Sequence, residues 1–163
     1  MAGSIKKTMK NIIPQDPKTS GSGLERFIAA QDPVIEQVYK ELGAGCKTSH
    51  WMWFVFPQLR CLGRSNYAVH FGIENLEEAR AYLAHTVLRT RLMHCLEILL
   101  NLENRSALEI FGKVDTRKLQ SCLTLFEIAE GKNNSVFSQV LDKYYAGERD
   151  NCTKDNIQPR NAN

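Results

Sequence analysis

Between Val87 and Leu102 the apolar residues fall at Leu88, Leu92, Cys95, Leu96, Leu99 and Leu100. Steps of three and four put most of them on one face of a 3.6-residue helix, and no convincing two-residue alternation competes with that pattern elsewhere. The spacing recurs along the chain. Leu24, Phe27 and Ile28 mark a first helix. Asp32-Pro33 predicts an N-cap and a first-turn proline for a second, which carries Val34, Ile35, Val38 and Leu42. A short helix is expected from about Asn66 to Phe71. Asn75 caps the next, whose acidic first turn, Glu77 and Glu78, suits the helix dipole. Ser106 to Phe111 predicts a brief helix closed by Gly112, Asp115 or Thr116 caps another, and a last one runs through Val136 to Tyr144. The expected fold is all-α, a compact single domain of seven or eight short to medium helices over residues 23–147. Met52 to Phe56 is the segment that strand propensity most favours.

A chain of 163 residues with 43% hydrophobic and 24% charged residues has the makeup of one soluble domain. At this length roughly two-thirds of the surface is buried, so folding needs neither disulfides nor a metal. No apolar run reaches the roughly 20 residues that cross a bilayer. The N-terminal lysines are followed by no apolar signal segment, so the expectation is a cytoplasmic protein with no membrane partner. Five cysteines, an odd number without a C-x-x-C pair, signal neither a disulfide framework nor zinc. Cys95 and Cys122 lie in helical apolar patterns and read as buried hydrophobes. Cys46 and Cys61 flank an aromatic segment, where a reactive thiol is the minor reading.

Residues 1–22 are rich in Lys, Pro, Ser, Thr and Gly and read as a disordered basic N-terminal tail. Residues 148–163 read as a polar, frayed C-terminal tail. Four lysines against one aspartate give the N-terminal segment all of the chain's net charge of +3, whereas residues 23–147 carry 14 basic and 14 acidic groups. A nucleic-acid-binding domain carries its basic stripe on the folded part, so no nucleic-acid partner is expected.

Residues 47–58, Lys-Thr-Ser-His-Trp-Met-Trp-Phe-Val-Phe-Pro-Gln, are where function is expected. Both tryptophans and two phenylalanines fall within six positions, with polar groups on either side. His50 is the candidate catalytic acid or base, because histidine titrates near neutral pH. The plainer reading makes it a helix buttress. Lys47, Arg60 and Arg64 bracket the aromatics and predict a cationic rim, Gln58 adds a hydrogen-bonding amide, and Trp53 offers a stacking face. Lys118, which shares a helix face with Ser121 at i, i+3, is a further candidate for the same pocket. Such a set suits a small anionic, ring-bearing ligand. The equally physical alternative places Trp51 and Phe54 in the core and Arg60 in a surface ion pair. No two histidines stand at i, i+4, so no metal is expected, and neither G-x-G-x-x-G nor a Walker A loop is present. Ser49 and Ser121 lack a nucleophile elbow.

Several stretches together resemble a widespread, mainly bacterial family of unknown function, whose members some genomes label calpastatin. They are Leu24-Glu25-Arg26-Phe27, the block Ser49-His50-Trp51-Met52-Trp53-Phe54 with Phe56-Pro57-Gln58-Leu59-Arg60, Ile110-Phe111-Gly112, and Lys118 to Phe126. The resemblance covers about residues 24–147 and implies a compact all-helical domain. It extends distantly to proteins of NAD and ADP-ribose metabolism, which implies a nucleotide-like ligand. The calpastatin label conflicts with a periodic, core-forming chain, since an inhibitor of that kind is flexible and repetitive. This chain departs from the family pattern at Cys46, Phe71 and Thr86, where a basic residue, Tyr and Pro are usual. Two functions follow as expectations: a small protein that binds or hydrolyses a nucleotide-like ligand with no further cofactor, or a non-enzymatic module that binds a protein partner through an aromatic patch.

Overall fold

The computed structural model describes residues 23–157. The expected N-terminal tail, 1–22, and the last six residues lie outside them. Among the described residues there are nine α-helices and no strand: α1 (Glu25–Gln31), α2 (Ile35–Gly43), α3 (Met52–Val55), α4 (Asn66–Phe71), α5 (Leu76–Ala84), α6 (Thr86–Asn101), α7 (Ala107–Glu130), α8 (Val136–Tyr145) and α9 (Asn151–Ile157). A 3₁₀ turn at Arg60–Leu62 separates α3 from α4. The all-α expectation holds. No helix among the described residues is long and apolar enough to cross a membrane.

The long helix α7 is the centre of the packing, against α5, α8 and α9, and α6 packs on α2, α5 and α8. Ser106 begins α7 as its N-cap, accepting a hydrogen bond from the Glu109 N–H at 3.1 Å, and its hydroxyl in turn donates to the Glu109 carboxylate at 3.1 Å. Gly131, with φ 65°, closes it in the left-handed conformation that glycine adopts freely. Within α7 the backbone breaks at Gly112 (φ 80°, ψ 173°). The two helices expected on either side of Gly112 are therefore present, joined across the kink within α7. That backbone region is nearly closed to other residues. Gly112→Ala is expected to cost about 2 kcal/mol even though no atom crowds the new methyl, and the urea midpoint measures it. An unchanged midpoint would mean that the kink relaxes freely.

Three sequence expectations give way to tertiary contacts. Asp32 does not cap α2, which starts at Ile35 without a side-chain cap. Its carboxylate pairs instead with Arg91 on α6 at 2.7 Å. Met52 to Val55 is helical rather than a strand. Met52, Phe54 and Val55 pack inward and, among the described residues, no strand lies beside it to pair with. The segment from Glu148 is not all frayed, because residues 151–157 form α9. Polar hooks hold it on α7. Asp150 Oδ2 accepts from Ser121 Oγ at 3.1 Å and from the Thr153 N–H at 3.0 Å, and Arg149 pairs with Glu127 at 2.6 Å. Thr153 is fully buried and Ile157 packs on the core.

The core gathers Phe27, Trp51, Phe54, Phe56, Tyr82 and Phe126, each at most 1% exposed. Burial of each large side chain contributes about 2 kcal/mol or more. Cys95 and Cys122 are buried in it, and desolvation raises both thiols well above their ordinary value. Arg26 ties α1 to the α4–α5 connection. Its guanidinium donates to the His70 and Gly72 carbonyls at 2.8 Å each and pairs with Glu78 at 2.9 Å.

Candidate functional site

The segment 47–58 is anchored by a buried carboxylate. Glu41, 4% exposed near the end of α2, accepts from the Thr48 N–H (2.6 Å), the Ser49 N–H (2.8 Å) and Trp51 Nε1 (3.1 Å) through a single oxygen. Gln37 donates to its other oxygen at 3.1 Å. Burial alone pushes this carboxyl up, but the hydrogen bonds from Thr48, Ser49 and Gln37 outweigh it and hold the group below its ordinary value. The chain is thereby turned so that Trp51, Phe54 and Phe56 enter the core while Trp53 stays half-buried.

Trp53 already has neighbours on its ring. Lys118 Nζ lies 5.1 Å from its centroid, the Tyr67 ring 5.1 Å away, and the His50 ring 6.5 Å away. Trp53, Gln58 and Lys118 line a cavity of about 10 Å³, too small for a ligand larger than water. Gln58 and Lys118 also line an open groove of about 630 Å³, within the size range of small-molecule sites. Arg64 contributes from the loop before α4, Lys113 and Arg117 from the start of α7, and Asp150 and Cys152 from the α9 end.

The other expected site residues stand apart from the groove. His50 is exposed beside Trp53 and lines neither space. Lys47 turns inward, its side chain 7% exposed, with Nζ 2.8 Å from Asp115 and 5.1 Å from the Trp51 ring. Asp115 also reaches Lys118, at 3.7 Å, so one carboxylate lies between two of the expected cations. Arg60 pairs with Glu74 and donates to the Gly72 carbonyl at 3.5 Å. The structure therefore brings together Gln58, Lys118 and, behind them, Trp53.

Lys113 and Arg117 are the groove residues that sequence reasoning missed. The signal was there: Lys113, Arg117 and Ser121 stand at i, i+4 and i+8 along one helix face, ending at a serine already singled out. Among the described residues Arg64, Lys113 and Arg117 have no ion-pair partner. No cluster of three or more His, Cys, Asp or Glu able to hold a metal occurs among the described residues. Ser121 Oγ lies 3.1 Å from both the Arg117 carbonyl and Asp150 Oδ2 and shares its one proton between them. Elsewhere, burial and then the charges of Arg26 and Arg60 push His70 below its ordinary value, which keeps that ring neutral near pH 7.

A family model described as "Protein of unknown function (DUF1810)" matches residues 21–157. The chain belongs to the DUF1810 family. This DUF1810 chain is also similar, at 48% identity and a TM-score of 0.81, to the conserved hypothetical protein Rv1873 from Mycobacterium tuberculosis, known from a crystal structure. The match covers 84% of this chain and 97% of that one. No curated protein matches. The DUF1810 match ends at residue 157, so it takes in α9 and with it the Asp150–Cys152 end of the groove.

Proposed function

We propose that the groove lined by the 58–64 loop, the first half of α7 and the start of α9 binds a nucleotide-like anionic small molecule. The observation that carries this reading is the set of four cations, Arg64, Lys113, Arg117 and Lys118, on one concave surface. Three of them have no ion-pair partner among the described residues. Like charges held together in this way are stabilised by an anion, and a concave wall focuses the field. The arginines offer bidentate contacts to phosphate and Gln58 offers an amide. Trp53 acts from behind, holding Lys118 through a cation–π contact.

The reading is one of binding. His50, the expected acid or base, lies outside the groove, so no hydrolytic step is assigned to it. The rival reading, a protein-binding patch, has less behind it. The exposed large hydrophobics Val69, Val87, Leu108 and Val114 are spread over three helices, and single exposed apolar residues are ordinary.

Thermal shift with millimolar AMP, ADP, NAD and ADP-ribose tests the proposal. At least one is expected to raise the melting temperature by roughly 3 °C or more. The rise should shrink with added salt and vanish in Arg117→Glu. No rise with any of the four would rule the ligand class out.

A further inference from the structure

The charge of the groove says more about its ligand than its size does. Its lining carries four positive side chains and one negative, Asp150, which leaves a net of three positive charges. The Asp150 carboxylate is fixed at the α9 end of the groove, where its Oδ2 accepts from Ser121 Oγ, the Thr153 N–H and Thr153 Oγ1, and its charge is already counted in that net. Asp115, the nearest other carboxylate to Lys118, is held more closely by Lys47, at 2.8 Å against 3.7 Å. Lys113 and Arg117 are one helical turn apart, a spacing at which like charges repel. Arg64 reaches the groove from a different segment, so the cations stand on more than one wall.

The lining contains no aromatic ring. Trp53 is not part of the lining, and its ring already has Lys118 Nζ and the Tyr67 ring each 5.1 Å from its centroid. Recognition there rests on charge and hydrogen bonds, with Leu62 and Val114 as the aliphatic surface. A phosphate inside a diester chain carries one negative charge, whereas a terminal phosphate carries up to ~2 and three acceptor oxygens. We infer that the groove selects a small molecule with terminal phosphate groups and a total charge near ~−3, as in a nucleoside diphosphate or a sugar bisphosphate. It should discriminate against a monophosphate and against the internal diphosphate diester of ADP-ribose. The inference rests on the proposed reading of the groove as an anion site and goes further by fixing the ligand's charge and phosphate type.

Isothermal titration calorimetry at one fixed ionic strength, with AMP, ADP, ADP-ribose and fructose 1,6-bisphosphate, tests it. ADP, the bisphosphate or both should bind at least about tenfold more tightly than AMP and ADP-ribose, one added charge-assisted contact being worth about that factor. Which of the two binds more tightly identifies the source of the phosphates. Arg64→Glu and Lys113→Glu, both at exposed positions, should each weaken that binding by about tenfold without lowering the melting temperature of the free protein. Equal affinity for AMP, ADP and ADP-ribose overturns the inference and leaves the groove standing as an anion site. Tightest binding of ADP-ribose also overturns it. No binding of any of the four overturns both readings.

Discussion

Glu41→Ala is expected to lower stability by about 3 kcal/mol, the largest loss foreseen for a single polar side chain in this protein. The side chain is buried and serves four donors: two backbone N–H groups, the Trp51 indole and Gln37. Trp51 is fully buried, so its Nε1 would be left without an acceptor in a region water does not reach. Glu41→Gln keeps one carbonyl oxygen and should cost about half as much. The carboxyl is held below its ordinary value in the folded state. Its contribution is therefore fully present above the unfolded value, near pH 4.5, and is lost as pH falls through the lower folded value. Urea midpoints from pH 7 down to pH 3 should show wild type losing stability on that limb, with Glu41→Gln flatter. An alanine variant as stable as wild type at pH 7 would mean that this carboxylate does not anchor the 47–58 turn.

Gly72→Ala should cost about 3 kcal/mol, or roughly 6–12 °C in melting temperature. The cause is not backbone conformation, since φ is −65° and ψ 139°. It is proximity: an added Cβ would sit 2.4 Å from Arg60 Cα and 2.8 Å from the Ala68 carbonyl oxygen. Both are backbone atoms and cannot swing aside. The close approach exists because residues 58–60 run beside 72–73. Arg60 N–H donates to the Ile73 carbonyl at 2.8 Å, and Ile73 N–H to the Gln58 carbonyl at 2.9 Å. The Leu59–Ile73 bridge between them is parallel. Gln58 takes its place on the groove from this pairing, so ligand binding should weaken along with stability. Gly63→Ala, where the nearest atom is the Ala68 Cβ at 2.4 Å, gives a comparison in which a side chain is the obstacle. If Gly72→Ala melted within roughly 2 °C of wild type, the pairing of 58–60 with 72–73 would have to be looser than the structure has it.

Much of the fold was legible. The apolar spacing of α6, the Asn75 and Ser106 caps, and the break at Gly112 are local features, each decided by a few neighbouring residues. Asn75 accepts from the Glu78 N–H at 2.9 Å, as an N-cap with an acidic first turn implies. What sequence misread was decided at a distance. Asp32 has good N-cap chemistry, yet a residue 59 positions away takes its carboxylate. Residues 151–157 show too little apolar periodicity to predict a helix, because polar hooks to Ser121, Thr124 and Glu127 hold α9 in place of an apolar stripe.

The site divides the same way. Sequence marked the cluster around Trp53 and named Gln58 and Lys118, which the fold brings to one groove. It could not tell which cations are free. Lys47, Arg60 and Lys118 look alike as letters, but Lys47 is turned inward onto Asp115 and Arg60 onto Glu74, whereas Lys118, 3.7 Å from the same Asp115, also lines the groove. By itself the sequence determined that the chain is helical, where most of its helices begin and end, and that its aromatic segment joins core to surface. Only the tertiary structure decided which charges are paired and which have no ion-pair partner among the described residues. Helix formation follows from contacts three and four residues apart, while the partner of a charged side chain is chosen by whatever the fold brings within a few ångströms of it.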